Sequence, residues 1–153
     1  MEENRHIELP RWDVLPDIGL YMDQVITLME RTFTGALPSG EITKSMVNNY
    51  VKSGLLPRPE GKKYGREHLA MLMEIAVLKQ ALSMEDVARA LAPLAGCGAE
   101  AGYAFFRERL RDLECGAQDG LIRVDAGEED GARRMLEWGM AAAVCIIRAR
   151  RIN

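Results

Sequence analysis

A short stretch near the middle of the chain cannot be helical, and it separates two segments that can. It spans residues 54–65 and reads GLLPRPEGKKYG. Its two prolines interrupt any helix, and Gly61 favours a turn. We predict that the extended arms at about 56–58 and 62–64 pair as a small β-hairpin. The chain on both sides has helical periodicity, which predicts an all-α fold with one hairpin.

The segment before this break predicts a short amphipathic helix from Lys44 to Ser53. Thr43 is a suitable N-cap, and Gly54 can end the helix in the left-handed conformation. At 100° of rotation per residue, the side chains divide into an apolar arc that can dock on a core and a polar arc. The polar arc carries only amide, hydroxyl and ammonium groups, from Lys44, Ser45, Asn48, Asn49 and Lys52.

Apolar periodicity and capping residues predict the other helices. They occupy residues 18–33 after a cap by Asp17, 66–81, a segment that follows the cap Ser83, 100–115 and 128–150. The helix at 66–81 is apolar almost all round and should be the central buried one. We place a boundary in the Pro- and Gly-containing segment after the fourth helix, which divides the chain into residues 1–95 and a helical C-terminal region of residues 96–153.

The composition is typical of a soluble globular protein, with 48% hydrophobic and 28% charged residues. The N-terminus is polar and acidic, unlike a signal peptide, and the longest apolar run is too short to span a bilayer. We therefore expect a cytoplasmic protein. The three cysteines form no C-x-x-C pair, which argues against a disulfide framework and a zinc site. We expect them to be small buried side chains.

Positive charge is concentrated around the break, although the whole chain has a net charge of −3. Within residues 41–68 the acidic residues are Glu41, Glu60 and Glu67. The basic residues there are Lys44, Lys52, Arg58, Lys62, Lys63 and Arg66. Charge alone leaves two interpretations open, a solvated surface and a nucleic-acid contact.

The order of elements resembles the MerR-type winged helix-turn-helix domain, a bacterial DNA-binding family. The recognition-helix-and-wing signature of that family ends in Tyr, Gly-Leu-Leu-Pro and a basic wing, matched here by Tyr50, residues 54–57 and residues 58–64. The resemblance covers about residues 42–91 and implies that residues 1–95 form a winged helix-turn-helix DNA-binding region. Asn48 stands where the family usually has arginine, Asn49 replaces a tyrosine, and no long coiled coil follows.

A second resemblance extends over most of the chain. The stretches LPRWDVLPDIGLYMDQV and TKSMVNNYVKSGLLP are similar to a bacterial family recorded only as a domain of unknown function and common in Gram-positive bacteria. This resemblance implies no activity.

Together the residues and the MerR resemblance predict a transcriptional regulator that binds double-stranded DNA. Ser45, Asn48 and Asn49 would read base edges, because asparagine bonds bidentately to adenine. The predicted phosphate contacts are Lys44, Lys52, Arg58, Lys62, Lys63 and Arg66. The alternative is a protein-interaction module that keeps the winged-helix fold without DNA binding. Acidic residues of the segment 1–40 covering the basic surface would favour this alternative.

We predict no catalysis, cofactor or metal site, because no carboxylate pair, nucleophile or ligand cluster stands out. The last helix carries apolar residues on nearly every side, so it should be central or lie at a subunit interface. We predict a homodimer formed through the C-terminal helices, which suits a palindromic operator. The sequence does not indicate whether a small effector exists.

Overall fold

The computed structural model of the protein describes residues 6–124 and 131–151, except the side chain of Ala132. Within these residues the protein is mostly helical, with six α-helices, a 3-10 turn at Trp12–Val14 and almost no strand. No helix in this part of the chain is long and apolar enough to cross a membrane. The helices are α1 (Met22–Phe33), α2 (Lys44–Lys52), α3 (Arg66–Leu78), α4 (Met84–Ala95), α5 (Ala99–Gln118) and α6 (Gly131–Ala149).

The central helix is α3, as its apolar sequence predicts. Residues 69–78 are all buried except Met71, which is half-buried. The helix ends at Leu78, three residues before the predicted end. Helices α5 and α6 pack against it, and α4 packs against both of them. A helix with apolar residues on every side has no solvent face, so burial by several neighbours is its stable arrangement.

The C-terminal helices share this core, and two ion pairs join α5 to α6. Arg109 contacts Glu137 at 2.7 Å, and Arg148 contacts Glu114 at 3.3 Å. Both carboxylates are buried. The division of the chain at residue 95 stays a prediction, since helices on both sides of it contribute to one core.

One face of α6 is buried and the other is exposed. The buried face consists of Leu136, Met140, Ala143, Val144 and Ile147. Trp138, Ala142 and Cys145 lie on the exposed face, so α6 is not covered on all sides by its own chain. The predicted start of this helix, at residue 128, lies outside the described residues.

Helix α1 begins at Met22, four residues later than predicted, and Asp17 does not cap it. The reason is a bridge between Leu20 and Tyr64, whose backbone groups exchange hydrogen bonds of 2.9 and 2.8 Å. A residue paired with a distant segment cannot also join a helix. Gln24 caps α1 instead, because its side chain accepts a hydrogen bond of 2.9 Å from the Tyr21 backbone N–H.

The predicted β-hairpin is absent from the described structure. Residues 60–63 form a tight turn closed by one hydrogen bond of 2.9 Å, from the Lys63 N–H to the Glu60 carbonyl. Gly61 and Lys62 have φ values of 54° and 64°, as in the turns that join hairpin strands. The arms do not continue as strands because two prolines remove donors from one arm, and Tyr64 of the other pairs with Leu20.

The connection between α1 and α2 differs from a tight helix-turn-helix. It spans residues 34–43, whereas the typical motif has a turn of about three or four residues. Gln80 fastens this loop to the end of α3, since its side chain accepts from the Ser39 N–H at 3.1 Å and donates to the Ser39 hydroxyl at 2.8 Å. The structure therefore does not confirm the MerR-like helix-turn-helix.

The expectation of buried cysteines is wrong, because Cys97, Cys115 and Cys145 are all exposed. Cys97 follows the end of α4, and the other two lie on outward faces of α5 and α6. Periodicity alone does not show which face of such a helix its neighbours cover.

Candidate nucleic-acid interface

Helix α2 is held by its apolar side and leaves its polar side to solvent. Thr43 caps it as predicted, since its hydroxyl accepts a hydrogen bond of 3.2 Å from the Met46 N–H. Val47 and Tyr50 are buried, and burial raises the pKa of Tyr50. All five residues of the predicted polar arc are exposed, namely Lys44, Ser45, Asn48, Asn49 and Lys52.

The two asparagines at the middle of this face have unused amide groups. Within the described chain neither Asn48 nor Asn49 makes a side-chain hydrogen bond to another protein group. An amide offers a donor and an acceptor side by side, which matches the Hoogsteen edge of adenine. The face is therefore chemically suited to base contacts in a major groove.

The turn that follows carries three more of the predicted basic residues, Arg58, Lys62 and Lys63, all exposed. His68 supports it from α3. The His68 Nδ1 atom accepts a hydrogen bond of 3.1 Å from the Gly65 N–H, so a neutral ring carries its proton on Nε2. That nitrogen lies 3.3 Å from the Arg58 carbonyl oxygen and donates to it. His68 thus has a structural role here.

The beginning of α1 brings the turn and α2 close to each other. The ammonium of Lys63 lies 5.5 Å from the centre of the Tyr21 ring. Lys63 also packs on Gly19, where an added Cβ would lie only 2.7 Å from the Lys63 Cβ. Two residues along, Asp23 forms an ion pair with Lys44 of α2. Lys63 and Lys44 therefore flank the same end of α1. Lys52 lies about 12 Å from Lys44 along α2.

Acidic residues cover little of this basic surface. Asp23 belongs to the segment 1–40 and pairs with Lys44, but both side chains are more than half exposed, so the pair is weak. Lys52, Arg58 and Lys62 form no ion pair within the part of the chain that the structure describes.

Arg66 differs from the other predicted contacts because it is already engaged. It is half-buried, its Nε donates to the Leu15 carbonyl at 3.0 Å, and its guanidinium lies 5.7 Å from the centre of the Trp12 ring. The structure gives this side chain a role in fixing the N-terminal segment. Its contact with DNA stays a prediction.

Sequence patterns missed an apolar contribution to this surface. The Tyr21 ring beside Lys63 is 54% exposed, and Val14 and Ile18 of the preceding segment are 67% and 69% exposed. The segment that carries them follows the bonds to Tyr64 and Arg66 rather than a helical path. Only those long-range bonds decide which of its apolar side chains face solvent.

These observations define a class, a helical protein with a short polar-faced helix beside a basic turn. The chain belongs to the family described as a domain of unknown function (DUF1836), whose model matches residues 10–99. This confirms the resemblance to a family of that description, and the match contains α1 to α4 and the whole candidate interface. No curated protein matches the chain. No solved structure matches it either.

Proposed function

We propose that the protein is a DNA-binding transcriptional regulator of MerR-like type, which acts in the cytoplasm without catalysis or a cofactor. The observation that carries the proposal is the exposed face of α2, where Asn48 and Asn49 present amides that bond to no described protein group. Buried Val47 and Tyr50 fix the orientation of this face. A rigid support suits base recognition, since the reading side chains need a defined position.

In this proposal α2 lies in the major groove of double-stranded DNA. Asn48 and Asn49 bond to base edges, with Ser45 beside them, and each bidentate pair contributes about 1–3 kcal/mol of discrimination. Basic side chains bind the phosphates on either side and fix the register. These are Lys44 and Lys52 on α2, Arg58, Lys62 and Lys63 in the turn, and Arg66 at the start of α3.

Fluorescence anisotropy with the full chain tests the proposal. The protein is titrated against DNA from upstream of its own gene and against a scrambled duplex, at two salt concentrations. Asn48→Ala should reduce the preference for the specific duplex by roughly tenfold, in line with one lost bidentate contact. Lys52→Ala should weaken binding to both duplexes and lower the salt slope by about one.

Arg150→Ala is the matched control, because it removes a positive charge from an exposed residue beyond the end of α6. It should leave the preference and the slope nearly unchanged. An absence of binding to either duplex at low salt would overturn the DNA proposal.

A second candidate function is a protein-interaction module with the same fold. It is favoured by the exposed Tyr21 ring beside Lys63, and by the Asp23 carboxylate next to Lys44. Exposed apolar groups beside charges are common at protein interfaces. If DNA fails to bind, Tyr21→Ala should remove capture of a protein partner that the wild-type chain retains.

We further propose that the regulator is a homodimer formed through its C-terminal helices. Support comes from Trp138, Ala142 and Cys145, which are exposed and follow one another at helical spacing on α6. A second copy related by twofold symmetry would cover this face and place two α2 helices on two half-sites of a palindromic operator.

A further inference from the structure

A cavity of about 230 Å³ lies between the N-terminal segment 6–9 and α5. Its apolar walls are Ile7, Leu9 and Leu110, which are all buried. The volume is below the range of about 300–1,000 Å³ that is usual for drug-sized ligands, so a small metabolite fits it better. Every residue that lines the cavity lies outside the 10–99 match to the family.

One wall of the cavity carries two arginines. Arg107 and Arg111 are four residues apart on α5 and therefore lie on the same side of the helix. The Arg107 Nε donates to the Leu9 carbonyl at 2.7 Å, which leaves its two terminal amino groups available to a ligand. Neither guanidinium forms an ion pair within residues 6–124 and 131–151. Guanidinium groups that are unpaired and adjacent favour a carboxylate.

The cavity also borders a buried carboxylate. The side chain of Glu114 is only 3% exposed. Its Oε2 lies 3.3 Å from both the Arg148 Nη2 and the His6 Nδ1. Its Oε1 is buried and accepts no hydrogen bond from any described group. A buried acceptor without a partner costs about 1–3 kcal/mol, so a hydrogen-bond donor beside it would be stabilising.

We propose that this cavity binds a small carboxylic acid that also carries an amine or hydroxyl group, the chemistry of an amino acid or hydroxy acid. Its carboxylate binds Arg111 and Arg107, its donor group approaches Glu114, and its short apolar part contacts Ile7 and Leu110. The site goes beyond DNA binding, because none of its residues belongs to the candidate interface.

The exposed cysteines provide a direct test. Cys115 lines the cavity, whereas Cys97 and Cys145 do not. The full chain is alkylated with iodoacetamide in the absence of DNA, and mass spectrometry gives the rate at each cysteine. A bound ligand should slow alkylation of Cys115 severalfold and saturably, while the rate at Cys97 stays constant.

The probes are leucine, its hydroxy-acid analogue, the matching carboxylate without a donor, and the matching amine without a carboxylate. We expect the first two to protect Cys115 at millimolar concentration, and the last two to need at least tenfold more. Equal protection by the carboxylate without a donor would overturn the role of Glu114. Absence of protection by all four compounds would overturn the site.

Arg111→Gln should weaken protection by the first two probes at least tenfold. It is exposed and forms no ion pair in the described chain, so the fold should be preserved. Arg31→Gln removes the same charge from α1. In this variant the probes should protect Cys115 as they do in the wild type. If Arg111→Gln binds as well as the wild type, or if alkylation of Cys97 is slowed as much as that of Cys115, the inference is wrong.

Discussion

Charged side chains serve different purposes in the two halves of this protein. In the candidate interface, Lys52, Arg58 and Lys62 are exposed and form no ion pair with a described residue. In the C-terminal half, Arg109 donates three hydrogen bonds of 2.7–3.1 Å to Glu137, whose side chain has no exposed surface. These interface charges are thus available for a partner, whereas Arg109 and Glu137 are part of the fold.

This difference predicts whether a substitution should change folding or binding. An exposed charge contributes little to stability, because water solvates it equally well in the folded and unfolded chain. A buried charge depends on its partner, since the interior replaces water only where hydrogen bonds are supplied. The C-terminal pairs should therefore affect folding, and the interface charges should affect binding.

The largest effect is expected from Arg109→Ala. The substitution leaves the Glu137 carboxylate buried without its main partner and should lower the free energy of unfolding by about 3–5 kcal/mol. Urea denaturation followed by circular dichroism measures this. Lys52→Ala, the control from the interface, should change the free energy of unfolding by less than about 0.5 kcal/mol.

The double variant Arg109→Met/Glu137→Leu distinguishes the cost of an unpaired buried charge from the cost of lost packing contacts. It should recover much of the stability, because no buried charge remains unpaired. If the single variant Arg109→Ala is as stable as the wild type, the buried pair does not have the structural role assigned to it.

A third buried carboxylate, Glu74 in α3, should make stability depend on pH. Burial raises the pKa of Glu74 from 4.5 to about 8. Below pH 4.5 the carboxyl is protonated in both states. Between pH 4.5 and about 8 only the unfolded chain ionises, so the free energy of unfolding should fall with rising pH, by at most about 1.4 kcal/mol per unit.

Glu74→Gln removes this dependence and should resemble the protonated side chain. The difference in stability between wild type and variant should grow in favour of glutamine from pH 5 to pH 8, as measured by urea denaturation at each pH. A constant difference over this range would contradict the raised pKa.

The exposed face of α6 should have an intermediate effect, on association rather than folding. If a second copy covers Trp138, Trp138→Ala removes a large apolar contact and should weaken the dimer by about 2 kcal/mol, or roughly thirtyfold in Kd. Sedimentation equilibrium measures the change. Leu121→Ala, at another exposed apolar residue, is the control, and a wild-type chain that is strictly monomeric would contradict the homodimer.

Much of the helical fold could be predicted from the sequence because its causes are local. Thr43 and Ser83 cap their helices because each hydroxyl accepts a hydrogen bond from the backbone N–H three residues later. The buried stripe of α6 follows from a 3.6-residue period. The polar face of α2 is predictable for the same reason. The face of α2 on which each residue lies follows from its position in the sequence alone.

The remaining features depend on residues that are far apart in the sequence. The hairpin prediction was wrong because Tyr64 pairs with Leu20, and the bond from Arg66 to the Leu15 carbonyl has no local signal either. Glu114 and Glu137 have the sequence appearance of solvated charges. Only the packing of α6 on α5 shows that both are buried.

The smallest predicted effect also discriminates most directly between the two candidate functions of the interface. Asp23 pairs with Lys44 at the surface, so Asp23→Asn should change the free energy of unfolding by less than about 1 kcal/mol. If α2 binds DNA, the freed lysine can neutralise one more phosphate, and the salt slope should increase by about 0.9. Affinity at low salt should rise two- to threefold, roughly 0.5 kcal/mol, measured by anisotropy with Glu108→Gln as a control for lost negative charge.

A protein partner that uses the Asp23 carboxylate would instead bind the variant more weakly. Unchanged or weaker DNA binding would mean that Lys44 does not contact a phosphate.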